Sequence, residues 1–338
     1  MVKRKIKLHF QNGLTLQNFK KEVFDLEGLS DKFDFEESAD PDFVIFGPYG
    51  NDLPQKGSYV RIGYYCENIQ PDMTICDWAF GVPRAEEVNH ARYKRIQWHG
   101  TDPATLIKPA DYNAEEIAGS KKYFCNFLYS HKVPYREEFF RQLSKYKKVD
   151  APGKSMNNME SIDQRYSGDM WQRKRSFLSD YKFTIAFEND IYPGYQTEKL
   201  YDAMQANSIP VYCGDPFIGT IFNTASFINA TEQLHSKNSW LNNKLTRLGQ
   251  MDFEDIRPAH LTGIKHKVKR KLKAITRDIN RRFHFNEMDF KPVIERIIAL
   301  DTQPDLYVKY LTQPWFTGNT IPPAVSNRAR WIEIFNSK

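Results

Sequence analysis

The 338-residue sequence predicts an α/β protein of two layered units, each with a largely parallel sheet. Three observations carry this reading. Short apolar runs alternate with helix-patterned segments through the first third of the chain. The alternation restarts after a polar stretch at 108–121, which reads as a linker. Apolar residues make up 41% and aromatics 14%, enough for two cores, yet no apolar run approaches the ~18 residues of a membrane span.

In the first unit, 6–10, 43–46, 59–65, 78–80 and 95–98 read as strands. Residues 14–26 read as a helix, with Leu16, Phe19, Val23 and Leu26 at three- and four-residue steps. In the second unit, 123–129 is strand-like, and 134–146 is a helix with Pro134 in its first turn. A short strand at 148–151 follows, then a helix through Trp171 and Phe177 and a buried strand at 183–187. A helix from Thr197 and a strand at 209–213 complete the pattern. The expected division is 1–117, 120–315, and a tail at 316–338 that packs back on the first unit. Two such units imply a cleft, and ligands in such sheets bind outside the carboxyl ends of the strands.

The net charge is +6, but nine Lys/Arg against one acidic residue at 265–282 give that segment +8 and leave −2 elsewhere. The basicity is therefore local, and nucleic acid is not an expected partner of the fold as a whole. Cys66, Cys76, Cys125 and Cys213 show no CxxC spacing and read as free thiols of a reducing compartment. The basic N-terminus lacks the apolar core of a signal peptide. Asn229-Ala230-Thr231 has the spelling of a glycosylation site and carries little weight. Asp40-Pro41-Asp42 reads as a turn before a strand, and His131 alone is a poor metal ligand. There is no P-loop, HExxH or GxSxG, and no metal or resident cofactor is expected.

The most informative stretch is FTIAFENDIYPGYQTEKLYDAMQANSIPVYCGDP, residues 183–216. A buried strand ends in Glu188 and Asn189, a turn with Pro193 and Gly194 follows, and a helix starts at Thr197-Glu198-Lys199. Thr197 suits an N-cap. A helix start offers free N–H groups and the positive end of the dipole to an anion. Lys199 in the first turn opposes that dipole unless an anion lies nearby, and the conflict points to phosphate.

This stretch resembles the donor-binding signature of the α-1,3/4-fucosyltransferase family. Phe187-Glu188-Asn189, Gly194-Tyr195, Thr197-Glu198-Lys199 and the strand from Pro210 to Gly214 all match in order, as does the lead-in FLSDYKF at 177–183. The resemblance implies two facing Rossmann-like domains of the GT-B type, with acceptor bound by the first and GDP-fucose by the second. It implies Asn189, Tyr195, Glu198 and Lys199 as donor contacts, Lys199 holding the pyrophosphate, with Glu188, Gly194, Thr197 and Ser130 nearby. Arg136, in FLYSHKVPYREEF at 127–139, resembles the family arginine that pairs with donor phosphates, and its fork suits phosphate oxygens.

Glu67, in YCENIQPD at 65–72, follows a strand at its carboxyl end and resembles the general base of the bacterial members. Cys66 stands where those relatives often carry glycine. The implied reaction is inverting transfer of fucose from GDP-β-L-fucose to a lactosamine-like acceptor, without a required metal. The anchor and stem of Golgi relatives have no counterpart here, so the expectation is a cytoplasmic enzyme of bacterial or viral origin. Val268, Leu272, Ile275 and Ile279 form an apolar stripe on the basic helix 265–282, which reads as lying on the inner face of an anionic membrane through residues such as Lys267, Lys269, Arg270, Lys271 and Lys273. The rival readings are a two-domain glycosyltransferase using another nucleotide sugar, and a non-catalytic membrane- or nucleic-acid-binding protein acting through that helix.

Overall fold

The computed structural model describes residues 3–50, 52–97, 99–233, 239–256 and 260–338. The chain forms two compact units. The first runs to Asp102 and adds Asn243–Asn280 and Pro322–Lys338; the second comprises Pro103–Asn242 and Arg281–Ile321. The first boundary thus falls at 102/103, before the expected 117, because 108–121 is structured and packs in the second unit. Its helix Ala114–Ser120 is capped by Asn113, and the Lys108 ammonium donates to the Leu311 carbonyl.

The first unit holds six parallel strands: β1 Arg4–Gln11, β2 Phe33–Glu37, β3 Phe43–Phe46, β4 Val60–Tyr65, β5 Trp78–Gly81 and β6 Tyr93–Arg95. Their spatial order is β2-β1-β3-β4-β5-β6. Strand β2 was hidden from a sequence reading because Asp34, Glu36 and Glu37 break its apolar run; only Phe33 and Phe35 point inward. The expected 95–98 strand lies earlier, at β6, and Trp98 falls outside the described residues. The expected helix at 14–26 is a short α-turn, Leu16–Phe19, that widens into a π-turn, Lys20–Phe24. Phe19 and Val23 meet the core as expected, but the wider turn buries Phe24 and leaves Leu26 exposed at 38%. Asp40-Pro41-Asp42 links β2 to β3, and Asp42 bonds back to Lys7.

The second unit has five parallel strands: β7 Tyr123–Asn126, β8 Val149–Asp150, β9 Tyr181–Phe187, β10 Ile209–Cys213 and β11 Ile228–Asn229. Their order is β11-β10-β9-β7-β8. Helix α1 Pro134–Leu143 follows β7, α2 Met170–Ser179 precedes β9, and α3 Glu198–Gln205 links β9 to β10. In chain order both sheets begin 2-1-3, which places a topological switch point between β1 and β3 in one and between β7 and β9 in the other.

Two late segments belong to the first unit. Helix α4 Ile264–Glu287 carries the basic run and lies in this unit as far as Asn280, and α5 Arg328–Phe335 completes the core. Trp331 is fully buried and stacks on Phe80 at 4.1 Å, while Phe335 meets Phe33, Phe35 and Phe43. Burying such rings contributes on the order of 2–3 kcal/mol each.

Among the described residues no helix is long and apolar enough to cross a membrane. The thiols are unpaired, with Cys76, Cys125 and Cys213 buried and Cys66 half-buried. Asn229 is buried in β11, and the Thr231 hydroxyl accepts the Gly214 N–H, so this triplet is not presented for glycosylation.

Candidate functional site

The carboxyl ends of β7 and β9 gather the groups singled out in the second unit. Strand β9 is buried along most of its length and ends at Phe187, which delivers Glu188 into the interior at 0% exposure. Its carboxylate accepts the Thr197 N–H at 2.7 Å and the Thr197 hydroxyl at 2.6 Å, and meets Lys199 Nζ at 3.3 Å. Thr197 occupies the N-cap position, but its hydroxyl does not cap the helix and is donated to Glu188 instead. The Lys199 conflict is thereby answered within the chain. Glu188 and Glu198, at 3.3 and 3.7 Å, are the anions beside the ammonium. Burial works against the Lys199 charge, yet the two carboxylates outweigh it and hold its pKa above the ordinary value. Burial pushes Glu188 up, against the opposing pull of Lys199 and the Thr197 hydrogen bonds.

The turn between β9 and α3 is held by a second buried carboxylate that the sequence reading passed over. Asp215, just beyond β10, accepts the Gly194 N–H at 2.8 Å and the Gln196 side-chain amide at 2.6 Å. Gly194 has φ +89°, a left-handed conformation that glycine adopts freely. Gly214 is required for a different reason: a Cβ there would lie 2.6 Å from Glu188 Cγ. Tyr195 is buried at 4% exposure, and its carbonyl accepts from the Tyr212 hydroxyl. The clue to Asp215 was present, a carboxylate directly after a buried strand end.

Arg136 is the most unusual group of the site. It is carried on α1, where Glu137 and Glu138 made a solvated surface arginine the plain alternative, but it is only 1% exposed. One guanidinium nitrogen donates to Asn189 Oδ1 at 2.9 Å and the Phe187 carbonyl at 3.3 Å; the other donates to the His131 carbonyl at 2.9 Å. The guanidinium carbon lies 4.0 Å from the centre of the Tyr129 ring, and Nε has no protein partner. These partners are neutral, so a buried positive charge is solvated by dipoles rather than by a carboxylate. That arrangement favours an anionic ligand. Tyr129 in turn ties the strand end, accepting the Phe187 N–H at 2.7 Å and bonding the Ile185 carbonyl at 2.8 Å.

A cavity of about 40 Å³ opens here, lined by Tyr129, Lys174, Leu178, Thr184, Glu198 and Lys199 among others. Ser130 is exposed on the loop after β7 and makes no part of this lining. Among the described residues, no group of three or more His, Cys, Asp or Glu could hold a metal ion. The cavity takes its lysines from α2 and α3, and the buried Arg136 guanidinium stacks on Tyr129, one of its lining residues.

Glu67 lies in the first unit, exposed on the loop that leaves β4 at its carboxyl end. Its charge acts on Tyr49 and on the Cys66 thiol, which burial and Glu67 push up to about 11. Cys66 is therefore a protonated thiol at neutral pH and no nucleophile.

Comparison with known proteins bears on the family and the fold. The C-terminal model of glycosyltransferase family 10 (fucosyltransferase) matches residues 119–253, and the alpha-(1,3)-fucosyltransferase FucT N-terminal domain matches 8–99. A protein of Acanthamoeba polyphaga mimivirus that carries a fucosyltransferase name is 39% identical over 144 residues, 39% of this chain and 24% of its own length. The alpha-(1,3)-fucosyltransferase FucT of Helicobacter pylori is 36% identical over 200 residues, 50% of this chain and 40% of its own length. The matched region thus spans well under half of these relatives. A crystal structure of an alpha1,3-fucosyltransferase with GDP-fucose superposes with a TM-score of 0.64 at 19% identity, covering 100% of this chain and 91% of that one, and shows the same fold.

Proposed function

Since the chain belongs to glycosyltransferase family 10, the fucosyltransferases, we propose that it moves L-fucose from GDP-β-L-fucose to an acceptor glycan hydroxyl with inversion at the anomeric carbon. The observation that carries this reading is the buried Arg136 guanidinium, held by Asn189 and backbone carbonyls without a carboxylate at the β7/β9 switch point. An acceptor oxygen attacks the anomeric carbon, the bond to the β-phosphate oxygen breaks, and GDP leaves. Glu67 takes the acceptor proton, a contribution of about 10²–10⁴ in rate. Arg136 and Lys199 share the charge that develops on the leaving diphosphate, fixed donors of this kind each being worth on the order of 3 kcal/mol. The Thr197 N–H is committed to Glu188, so the side-chain cations carry more of that task than the helix start does. Glu198 accepts from donor hydroxyls. The acceptor is a lactosamine-like glycan, fucosylated at O3 or O4 of N-acetylglucosamine or glucose.

The test is a melting curve with GDP, GDP-fucose and UDP, followed by a panel of nucleotide sugars against type 1 and type 2 lactosamine read by mass spectrometry. GDP and GDP-fucose should raise the melting temperature, a ligand at 100 times its Kd adding about 2.7 kcal/mol. Equal stabilisation by UDP would move the assignment to another nucleotide sugar. Salt-dependent nucleic-acid binding with no donor binding would replace the enzyme reading.

A second contact is supported by α4. Ile264, Val268, Leu272, Ile275 and Ile279 are 80%, 53%, 60%, 47% and 48% exposed and fall on one face. Lys265, Lys267 and Lys271 are exposed alongside them. Lys269, Lys273 and Arg277 instead pair with Glu254 and Asp255, and Arg270 donates to the Leu261 carbonyl, so the basic residues divide into an inner and an outer set. An apolar stripe edged by lysines suits an anionic bilayer. We assign this face to peripheral membrane contact.

A further inference from the structure

Glu198 and Asp202 stand one turn apart on α3, two like charges on the same face, Asp202 buried and the Glu198 side chain 39% exposed. Asp202 is only 6% exposed. On α3 itself Lys199 answers Glu198 at 3.7 Å but is shared with Glu188, and Asp202 draws its ion pair from elsewhere. The compensation comes from α2, whose Lys174 ammonium lies 2.5 Å from Asp202 and 3.9 Å from Glu198, with 18% of its side chain exposed. Lys174 also lines the cavity shared with Glu198 and Lys199. The local sequence shows no sign of this, since Lys174 is the middle of the run Arg173-Lys174-Arg175.

The geometry points to Lys174 as a positioning residue: it holds the Asp202 and Glu198 carboxylates together on α3 and keeps Glu198 ionised as the acceptor of the donor's hydroxyls. The role in the reaction rests on the donor reading above. The other charged groups around the pair are Lys199 on α3, Glu188 at the end of β9, Arg136 on α1 and Arg175 on α2. Burial by itself would raise Glu198, and Lys199 together with Lys174 holds it below the ordinary carboxylate value. Burial pushes Asp202 up even with Lys174 beside it, so without Lys174 the two carboxylates would compete for a proton. A protonated Glu198 has lost acceptor capacity toward a sugar hydroxyl.

Two measurements on the full chain test this. Carboxyl-detected NMR follows the Glu198 titration in the ligand-free protein, and calorimetry follows GDP-fucose affinity against pH. In Lys174→Gln the Glu198 midpoint should rise by about one unit or more, the usual effect of losing an opposite charge at this range. Donor affinity should fall more steeply toward acid pH than in wild type and recover at neutral pH, as the carboxylate re-ionises. Lys174→Arg should keep both properties. Asp202→Asn gives a reading that does not depend on the folding of Lys174→Gln, because freeing Lys174 for Glu198 alone should lower the Glu198 midpoint. An unmoved midpoint in these variants, or an affinity loss equal at every pH and not rescued by arginine, would overturn the assignment. A shifted midpoint in a chain that binds no GDP-fucose would remove the donor reading and leave the Lys174 electrostatics in place.

Discussion

The guanidinium of Arg136 donates to the side-chain oxygen of Asn189 at 2.9 Å, joining the start of α1 to the end of β9 across the switch point. The amide fixes one edge of the fork and leaves its positive charge uncompensated. Arg136→Ala should therefore weaken GDP binding and slow turnover, by about 10²–10³ in rate if one fixed donor is lost. Arg136→Lys should remain impaired, because a point charge reproduces neither the fork nor the stacking on Tyr129. Lys199→Ala should weaken GDP binding as well and also strand the buried Glu188 carboxylate, so its loss of stability should exceed that of a surface lysine. Normal GDP affinity in all three variants would show that the diphosphate binds elsewhere.

Glu67→Gln keeps size and removes proton acceptance. GDP affinity should stay near wild type, because the proposed GDP contacts lie in the other unit. Fucose transfer to a soluble lactosamine should drop by at least about 10². Calorimetry and transfer assays on one preparation separate these. Full transfer activity in the glutamine variant would eliminate Glu67 as the base.

The outer face of α4 predicts a selective vesicle result. Replacing Lys265, Lys267 and Lys271 with Gln should weaken binding to phosphatidylserine vesicles, by roughly fivefold for each lysine. Val268→Ser with Leu272→Ser should weaken it further, and turnover on a soluble acceptor should persist. Replacing Lys273, which pairs inward with Asp252 and Asp255, should instead lower stability. Sedimentation with anionic and neutral vesicles checks the first effect, and unchanged binding in the lysine and serine variants would assign α4 a purely solvated face.

Asp301 should control acid stability of the second unit. Its carboxylate accepts from Lys182 at 2.9 Å, Lys147 at 3.0 Å and the Tyr146 hydroxyl at 3.0 Å. Burial alone would raise its pKa, but the lysine hydrogen bonds hold it below the ordinary 3.8. A folded value below the unfolded one means that the stabilisation is present above about pH 3.8 and is lost as pH falls through the folded value. Asp301→Asn should cost about 1–3 kcal/mol at neutral pH and flatten the acid limb, read by urea unfolding across pH. An unchanged acid limb would place the effect on other carboxylates.

Much of the fold was legible because its signals are local. Alternation along β1, the continuous apolar run of β9, Pro134 at a helix start, and the three- and four-residue steps of Val268, Leu272, Ile275 and Ile279 depend only on neighbours along the chain. By itself the sequence determined two α/β units, a strand–turn–helix at 183–205 with glutamate, asparagine and lysine at its mouth, and an amphipathic basic helix. Strand β2 escaped because its charged edge residues dilute the pattern. Tertiary structure alone decided the electrostatics. It buried Arg136 among neutral dipoles, turned Glu188 onto Thr197 and Lys199, brought Asp215 to the 194–196 turn, set Lys174 against Asp202, and divided the α4 lysines between an acidic neighbour and water. The reason is physical: periodicity is a property of adjacent residues, whereas the solvation and partner of a charge depend on groups tens of residues away in sequence.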